Sequence, residues 1–247
     1  MATRRRGPAR PGKRSTRGRP VRAGGQSGLR WRRIGLLLVL TAFTAFAVAA
    51  YFTPVLGVKT VQVVGSTTVD DQQVRAVAGI EPGTPMLRVD AAQVSDRVKA
   101  LPKIASVTVT RSWPSTVRIQ VVEREAVAFF VARNGVQLVD AEGVPFEQVS
   151  RKPEELPELK VRAVSEVDPA TDAALTALMA LSGELRAQVA VVSAEKPTDV
   201  RMVLRDGREV HWGDNREAER KAAILPPLLT RPGKVYDVTA PSLPTVA

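Results

Sequence analysis

The chain has 247 residues, no cysteine, a single histidine and a formal net charge of +11. Disulfide and thiol chemistry are therefore excluded, and so is a multi-histidine metal centre. The charge is unevenly placed: residues 1–33 hold twelve Lys/Arg and no acid, leaving 24 basic against 25 acidic residues elsewhere, so the excess belongs to a tail and not to a basic folded surface of the kind that binds nucleic acid.

In chain order, residues 1–33 are Arg, Gly, Pro, Ser and Thr with little to bury, and are expected to be a disordered basic cytoplasmic tail. Ile34 to Phe52 is nineteen residues without a charge. As a helix it rises roughly 28 Å, close to the ~30 Å hydrocarbon core of a bilayer. Trp31 and Tyr51 stand at its ends, where amphipathic rings prefer the interface, and Pro54 is a natural stop. A single transmembrane helix is expected over 34–54. Lys59 is the only basic residue among the ten after Val55, so the positive-inside rule places the N-terminus in the cytoplasm and the C-terminus outside. A cleaved signal peptide is the rival reading, since "AVA" at 47–49 fits a cleavage pattern and Arg32-Arg33 resembles part of a twin-arginine signal. The length of the basic and apolar segments favours the uncleaved anchor.

Residues 57–125 are expected to be one small domain. Val58–Val64 is β-branched and reads as a strand that Gly65 ends. Thr68 is expected to cap a short helix, with Asp71 three residues on and Gly79 as its stop. Asp90 caps a second helix with Gln93 in the capping-box position, and Pro102 closes it. In "IASVTVTR", Ala105, Val107 and Val109 share a face; in "TVRIQVVE", Val117, Ile119 and Val121 do the same. The order strand, helix, helix, strand, strand predicts a sheet covered by helices on one side.

Residues 126–241 are expected to be a β-rich α+β domain. "AVAFFVA" and "VQLVD" flank an Asn134-Gly135 turn, and "VPFEQV" follows. Residues 150–160 read as a proline-rich crossing. Asp168-Pro169 starts one helix to about Gln188, with Gly183 tolerated inside it. "VAVVSA", "DVRMVL" and "REVHW" are strands. A helix from about Glu217 to Leu225 is expected to break at Pro226-Pro227. "KVYDVTA" is the last strand, either completing the core or offering an exposed edge, and residues 242–247 close a frayed tail.

The search for chemistry returns little. There is no GxSxG, P-loop or dinucleotide fingerprint. His211 alternates with Val210 and Trp212 in a strand and reads as structural. Asp70-Asp71 and Glu154-Glu155 read as a helix cap and a loop, and Arg124 as an ion-pairing residue between two glutamates. No enzyme activity, catalytic residue, cofactor or metal is expected.

Three pieces in this order carry a resemblance. The first is Val63-Val64-Gly65 with its capped helix and Gly83. The second is Arg111-Ser112-Trp113-Pro114 leading to Ile119, Val121 and Glu123-Arg124. The third is Val203 through Gly207 to Gly213, then Lys221 and Asp237-Val238. The chain, over about residues 30–241, resembles the FtsQ/DivIB family of bacterial cell division proteins. The resemblance implies a POTRA domain (βααββ) at 57–125 and an FtsQ-type β domain at 126–241. It also implies a non-enzymatic scaffold of the divisome at the septal cell membrane. The partners it implies are FtsB/DivIC-like and FtsL-like proteins, with further division components engaged through the POTRA domain; membrane lipid is also a partner, and nucleic acid is not. In the family a partner adds a strand to the last strand of the β domain, which matches Lys234–Thr239 here and makes Val235, Tyr236, Asp237, Val238 and Thr239 the candidate partner-binding residues. This chain departs from the pattern in one respect. Where some members carry an aromatic after the Asp-Val pair, it has Thr239-Ala240-Pro241, and Tyr236 precedes the aspartate. The alternative function is a POTRA-bearing envelope chaperone or secretion-accessory protein; a membrane protein whose basic tail tethers nucleic acid is a third reading.

Overall fold

The computed structural model describes residues 27–52, 57–133 and 135–247. Most of the expected tail, and Asn134 of the expected turn, lie outside the described residues. The chain divides into two units, 1–50 and 51–247.

All but the last two residues of α1 (Ser27–Phe52) belong to the first unit, and the helix takes in the last residues of the segment expected to be tail. Its apolar side chains are exposed all round, from Leu36 and Leu37 to Phe43 and Phe46. The hydroxyls of Thr41 and Thr44 donate back to the carbonyls of Leu37 and Leu40, both at 2.8 Å. Among the described residues no helix is long and apolar enough to cross a membrane; side chains 47 and 49–52, the end of the apolar run, lie outside them.

In the second unit, residues 57–124 build a three-stranded sheet. It comprises β1 (Thr60–Val64), β2 (Ile104–Ser112) and β3 (Thr116–Glu123), with α2 (Asp71–Ala78) and α3 (Ala91–Lys99) between β1 and β2. The strand order is β1-β3-β2, with β1 parallel and β2 antiparallel to β3. Along β3, Val117, Ile119 and Val121 are buried while Arg118, Gln120 and Val122 are exposed. The strand's two-residue period thus turns one face to a core that includes Val74 and Ala78 of α2 and Val94 and Val98 of α3. Val107 and Val109, which share a face of β2, are only partly buried against it. Asp90 caps α3 as expected, accepting from the amides of Ala92 and Gln93.

The cap of α2 differs. Asp70, not Thr68, is its N-cap. Thr68 is taken by Glu123, whose carboxylate accepts from the amides of Thr67, Thr68 and Val69 and from the Thr68 hydroxyl at 2.6 Å. This ties the end of β3 to the loop before α2. Burial alone would raise the Glu123 pKa, but the Thr68 hydroxyl and the three amides outweigh it and hold it at about 2, from an ordinary 4.5. A lowered carboxylate pKa stabilises the fold above the unfolded value and ceases to do so as pH falls through the folded one. Glu123→Gln is therefore expected to cost about 1 kcal/mol at pH 7, after solvent screening of this open site. The difference from the parent should shrink between pH 4.5 and 2, as read by urea unfolding at a series of pH values.

Residues 128–247 build a nine-stranded sheet. The hairpins are β4 (Ala128–Ala132), β5 (Gly135–Val139) and β6 (Pro145–Val149) on one side, and β8 (Val189–Ala194), β9 (Val200–Leu204) and β10 (Glu209–Gly213) on the other. Between them lies β7 (Glu158–Val161), parallel to both β4 and β8. The proline-rich crossing thus ends in a central strand, with Leu159 in the core. The single expected helix is two, α4 (Pro169–Ala180) and α5 (Gly183–Ala187). Leu181 is extended between them and the Ser182 hydroxyl caps the second. The helix expected to stop at Leu225 continues: α6 (Ala218–Leu229) contains both Pro226 and Pro227. Leu225 and Leu228 are buried on either side of the prolines, and their burial offsets the lost ladder bonds. The chain ends in β11 (Val235–Asp237) and β12 (Thr245–Val246), so the expected frayed end is instead a paired strand. Arg124 links the two sheets: its guanidinium pairs with Asp140 and, at 3.3 Å, with Glu142. Lys103 and Glu147 add a second link at 2.7 Å.

Candidate functional site

Among the described residues no group of three or more His, Asp or Glu could hold a metal ion. His211 is half-buried in β10, its Nε2 4.0 Å from Glu209, and its carbonyl serves the neighbouring strand. The residues singled out as a docking strand do come together, at one margin of the large sheet.

β11 runs parallel to β10, with Val235 opposite Glu209, Tyr236 opposite Val210 and Asp237 opposite His211. Tyr236 and Val238 are 1% and 0% exposed, so they share the core face and offer no side chain to a partner. The Tyr236 ring lies beneath the Arg208 guanidinium, 5.7 Å from its centroid. Its hydroxyl donates to the carbonyl of Arg231 at 2.8 Å, with that of Gly233 at 3.0 Å. Val235 and Asp237 lie between, on the other face, half-buried.

The backbone divides in the same way. The Val238 amide donates inward to His211 at 2.9 Å, and the Lys234 carbonyl accepts from Glu209 at 2.8 Å. The amide and carbonyl of Val235 point outward, away from β10, and bond to residue 247. Regular pairing ends at Asp237. Its carboxylate accepts from the Thr239 amide at 2.8 Å and the Thr239 hydroxyl at 2.6 Å, an Asx turn that bends the chain away. Burial would raise the Asp237 pKa, but these two bonds and the charges of His211 and Lys221 hold it below the usual carboxylate range.

β10, the strand behind β11, is fastened by a residue that sequence reading met only as part of a motif. Lys221 of α6 is 1% exposed. Its ammonium donates to the carbonyls of Trp212 at 2.9 Å and Asp214 at 2.8 Å and reaches the Asp214 carboxylate at 3.4 Å. It also lies 5.8 Å from the centroid of the Trp212 ring. The Trp212 indole donates to Asn215, whose amide donates to Ala173 of α4. Gly213, at φ 76°, has Thr239 against its α-carbon: a β-carbon there would fall 2.9 Å from Thr239 Cγ2. Glycine is therefore required by both backbone conformation and space. The arrangement ties β10, the neighbour of β11, to α6 and α4.

Comparison with known proteins agrees with this division. Residues 56–124 match the family model "POTRA domain, FtsQ-type", and residues 128–238 match "Cell division protein FtsQ/DivIB, C-terminal". The chain is 39% identical over 228 residues to cell division protein FtsQ of Mycobacterium leprae, covering 92% of this chain and 66% of that protein. It is 38% identical over 213 residues to FtsQ of Mycobacteroides abscessus, covering 85% and 68%. It is 32% identical over 217 residues to FtsQ of Corynebacterium glutamicum, covering 86% and 96%. The chain spans about two thirds of the length of the first two.

Proposed function

We propose, from the premise that the chain belongs to the FtsQ/DivIB family of cell division proteins, that it is a non-enzymatic bitopic scaffold of the bacterial divisome. Ile34–Phe52 crosses the cell membrane with the basic tail inside, and the two sheet domains lie outside at the division septum. The uncharged length of that run, its exposed apolar side chains from Ile34 to Phe46 and the twelve basic residues before it support the topology. A partner of the FtsB/DivIC type, with an FtsL-like protein, docks by adding a strand beside Val235–Thr239. The observation that carries this reading is the state of β11: its inner side is bonded to β10, and its outer side is covered by a two-residue strand alone. Margin strands with available backbone groups recruit extended segments with few side-chain requirements.

A fluorescent fusion to Met1 and a periplasm-dependent reporter fused after Ala247 test the proposal together. The expected result is reporter activity with bands at mid-cell. Uniform envelope fluorescence would favour an envelope chaperone, and a soluble product beginning near Ala50 would remove the anchor.

A further inference from the structure

The outer side of β11 is occupied by the chain itself. β12 runs antiparallel to β11, with Val246 opposite Tyr236 and Thr245 opposite Asp237. The Ala247 amide donates to the Val235 carbonyl at 2.9 Å, and the amides of Val235 and Lys234 donate to the Ala247 carbonyl at 3.0 and 2.7 Å. The chain reaches this position through the Asp237–Thr239 turn and a second turn in which Leu243 donates to the Ala240 carbonyl at 3.0 Å.

The hold is slight. Leu243 is 77% exposed, Thr245 and Ala247 are exposed, Pro241 and Pro244 are half-buried, and Val246 packs on the large core. Val246 has a shaped seat: a β-carbon on Gly233 would lie 2.3 Å from its Cγ1. The covering segment therefore displays what the margin accepts. This is an extended strand antiparallel to β11, with a polar residue opposite Asp237 and a β-branched apolar residue opposite Tyr236, beside Gly233.

We infer that residues 240–247 are an intrachain stand-in for the partner's strand. A partner segment of the same chemistry takes the margin by displacing them. The inference rests on the docking strand proposed above and supplies the partner's pattern. A ladder of three residues, Thr245 to Ala247, opens locally without unfolding the sheet, and a longer incoming strand replaces its bonds in kind.

The chain has no cysteine, so Val235→Cys with Ala247→Cys gives a single closable pair. These residues exchange both backbone bonds, and Cα separations in such pairs, about 5.5 Å, fall within the disulfide range. The full-length protein in nanodiscs gives a readout that needs no partner. The amides of Val235 and Ala247 are expected to exchange with deuterium at least about a hundredfold faster than Val238; equal protection of all three overturns the inference. Binding is then measured to the recombinant FtsB-type protein of the same organism. The oxidised pair is expected to bind at least about tenfold more weakly than the reduced pair, and Val246→Asp several-fold more tightly than the parent. Equal binding by oxidised and reduced protein overturns the inference and leaves the docking strand standing. Absence of binding by the parent, the reduced pair and Val246→Asp alike removes the docking strand, and the inference with it.

Discussion

Proline at Val238 is expected to unfold the nine-stranded domain, whereas proline at Val235 leaves it folded and abolishes partner capture. The Val238 amide donates into the sheet, to His211 at 2.9 Å, and its side chain is fully buried. Proline removes that donor, pushes a ring into the space of β10 and leaves the His211 carbonyl unpaired, at a cost of about 3 kcal/mol or more. The Val235 amide points the other way, to Ala247. Proline there costs only an outer bond, while its ring obstructs any strand approaching that side. Circular dichroism melts and co-purification with the FtsB-type partner read the two effects separately. Two proline variants that both fold and both bind normally would place docking elsewhere.

Lys221→Met is expected to lower the stability of the same domain by about 3–5 kcal/mol, the range for removing one member of a buried, hydrogen-bonded charge group. Methionine fills the volume but donates nothing, so the carbonyls of Trp212 and Asp214 lose their donor. The loop they belong to is held in two left-handed conformations, Gly213 at φ 76° and Glu217 at φ 55°. Glu217 is not glycine, so its conformation persists only while its surroundings enforce it. The Asp214 carboxyl, which burial would raise, is held low by Arg216 and by Lys221, and it loses part of that support as well. Urea unfolding gives the cost. Faster amide exchange along β10 and β11, with α2 and α3 unchanged, would locate it.

Much of the first sheet domain was legible because its signals are local. The alternation along Thr116–Glu123, the Asp90 cap and the left-handed Gly79 all act within a few residues of themselves. Thr68 misled for the opposite reason: two residues suited to capping stand close together, and a glutamate 55 positions away decided between them. β7 left no local mark because a four-residue strand in a proline-rich stretch is defined by its parallel neighbours. α6 passes through two prolines because Leu225 and Leu228 are buried on either side of them, which no propensity scale records. The docking strand was readable as β-branched and last among the strands. Its cover was not, since Pro241 and Pro244 mark a loop in sequence and only pairing with Tyr236 and Asp237 makes Thr245–Val246 a strand. Lys221 entered the sequence reading only as one residue of the resemblance, because burial of a lysine depends on carbonyls that the fold alone brings to it.

The central claim, that the margin at β11 receives a division partner, is tested most directly by photo-cross-linking in growing cells. A benzophenone amino acid replaces Thr239, exposed at the end of the strand, and in a second strain Val122, 52% exposed on the open face of the first sheet. The account predicts a cross-link from position 239 to an FtsB-type membrane protein, lost when Val235→Pro is added. A full-length, septally located protein that forms this adduct from position 122 and never from 239 would contradict it.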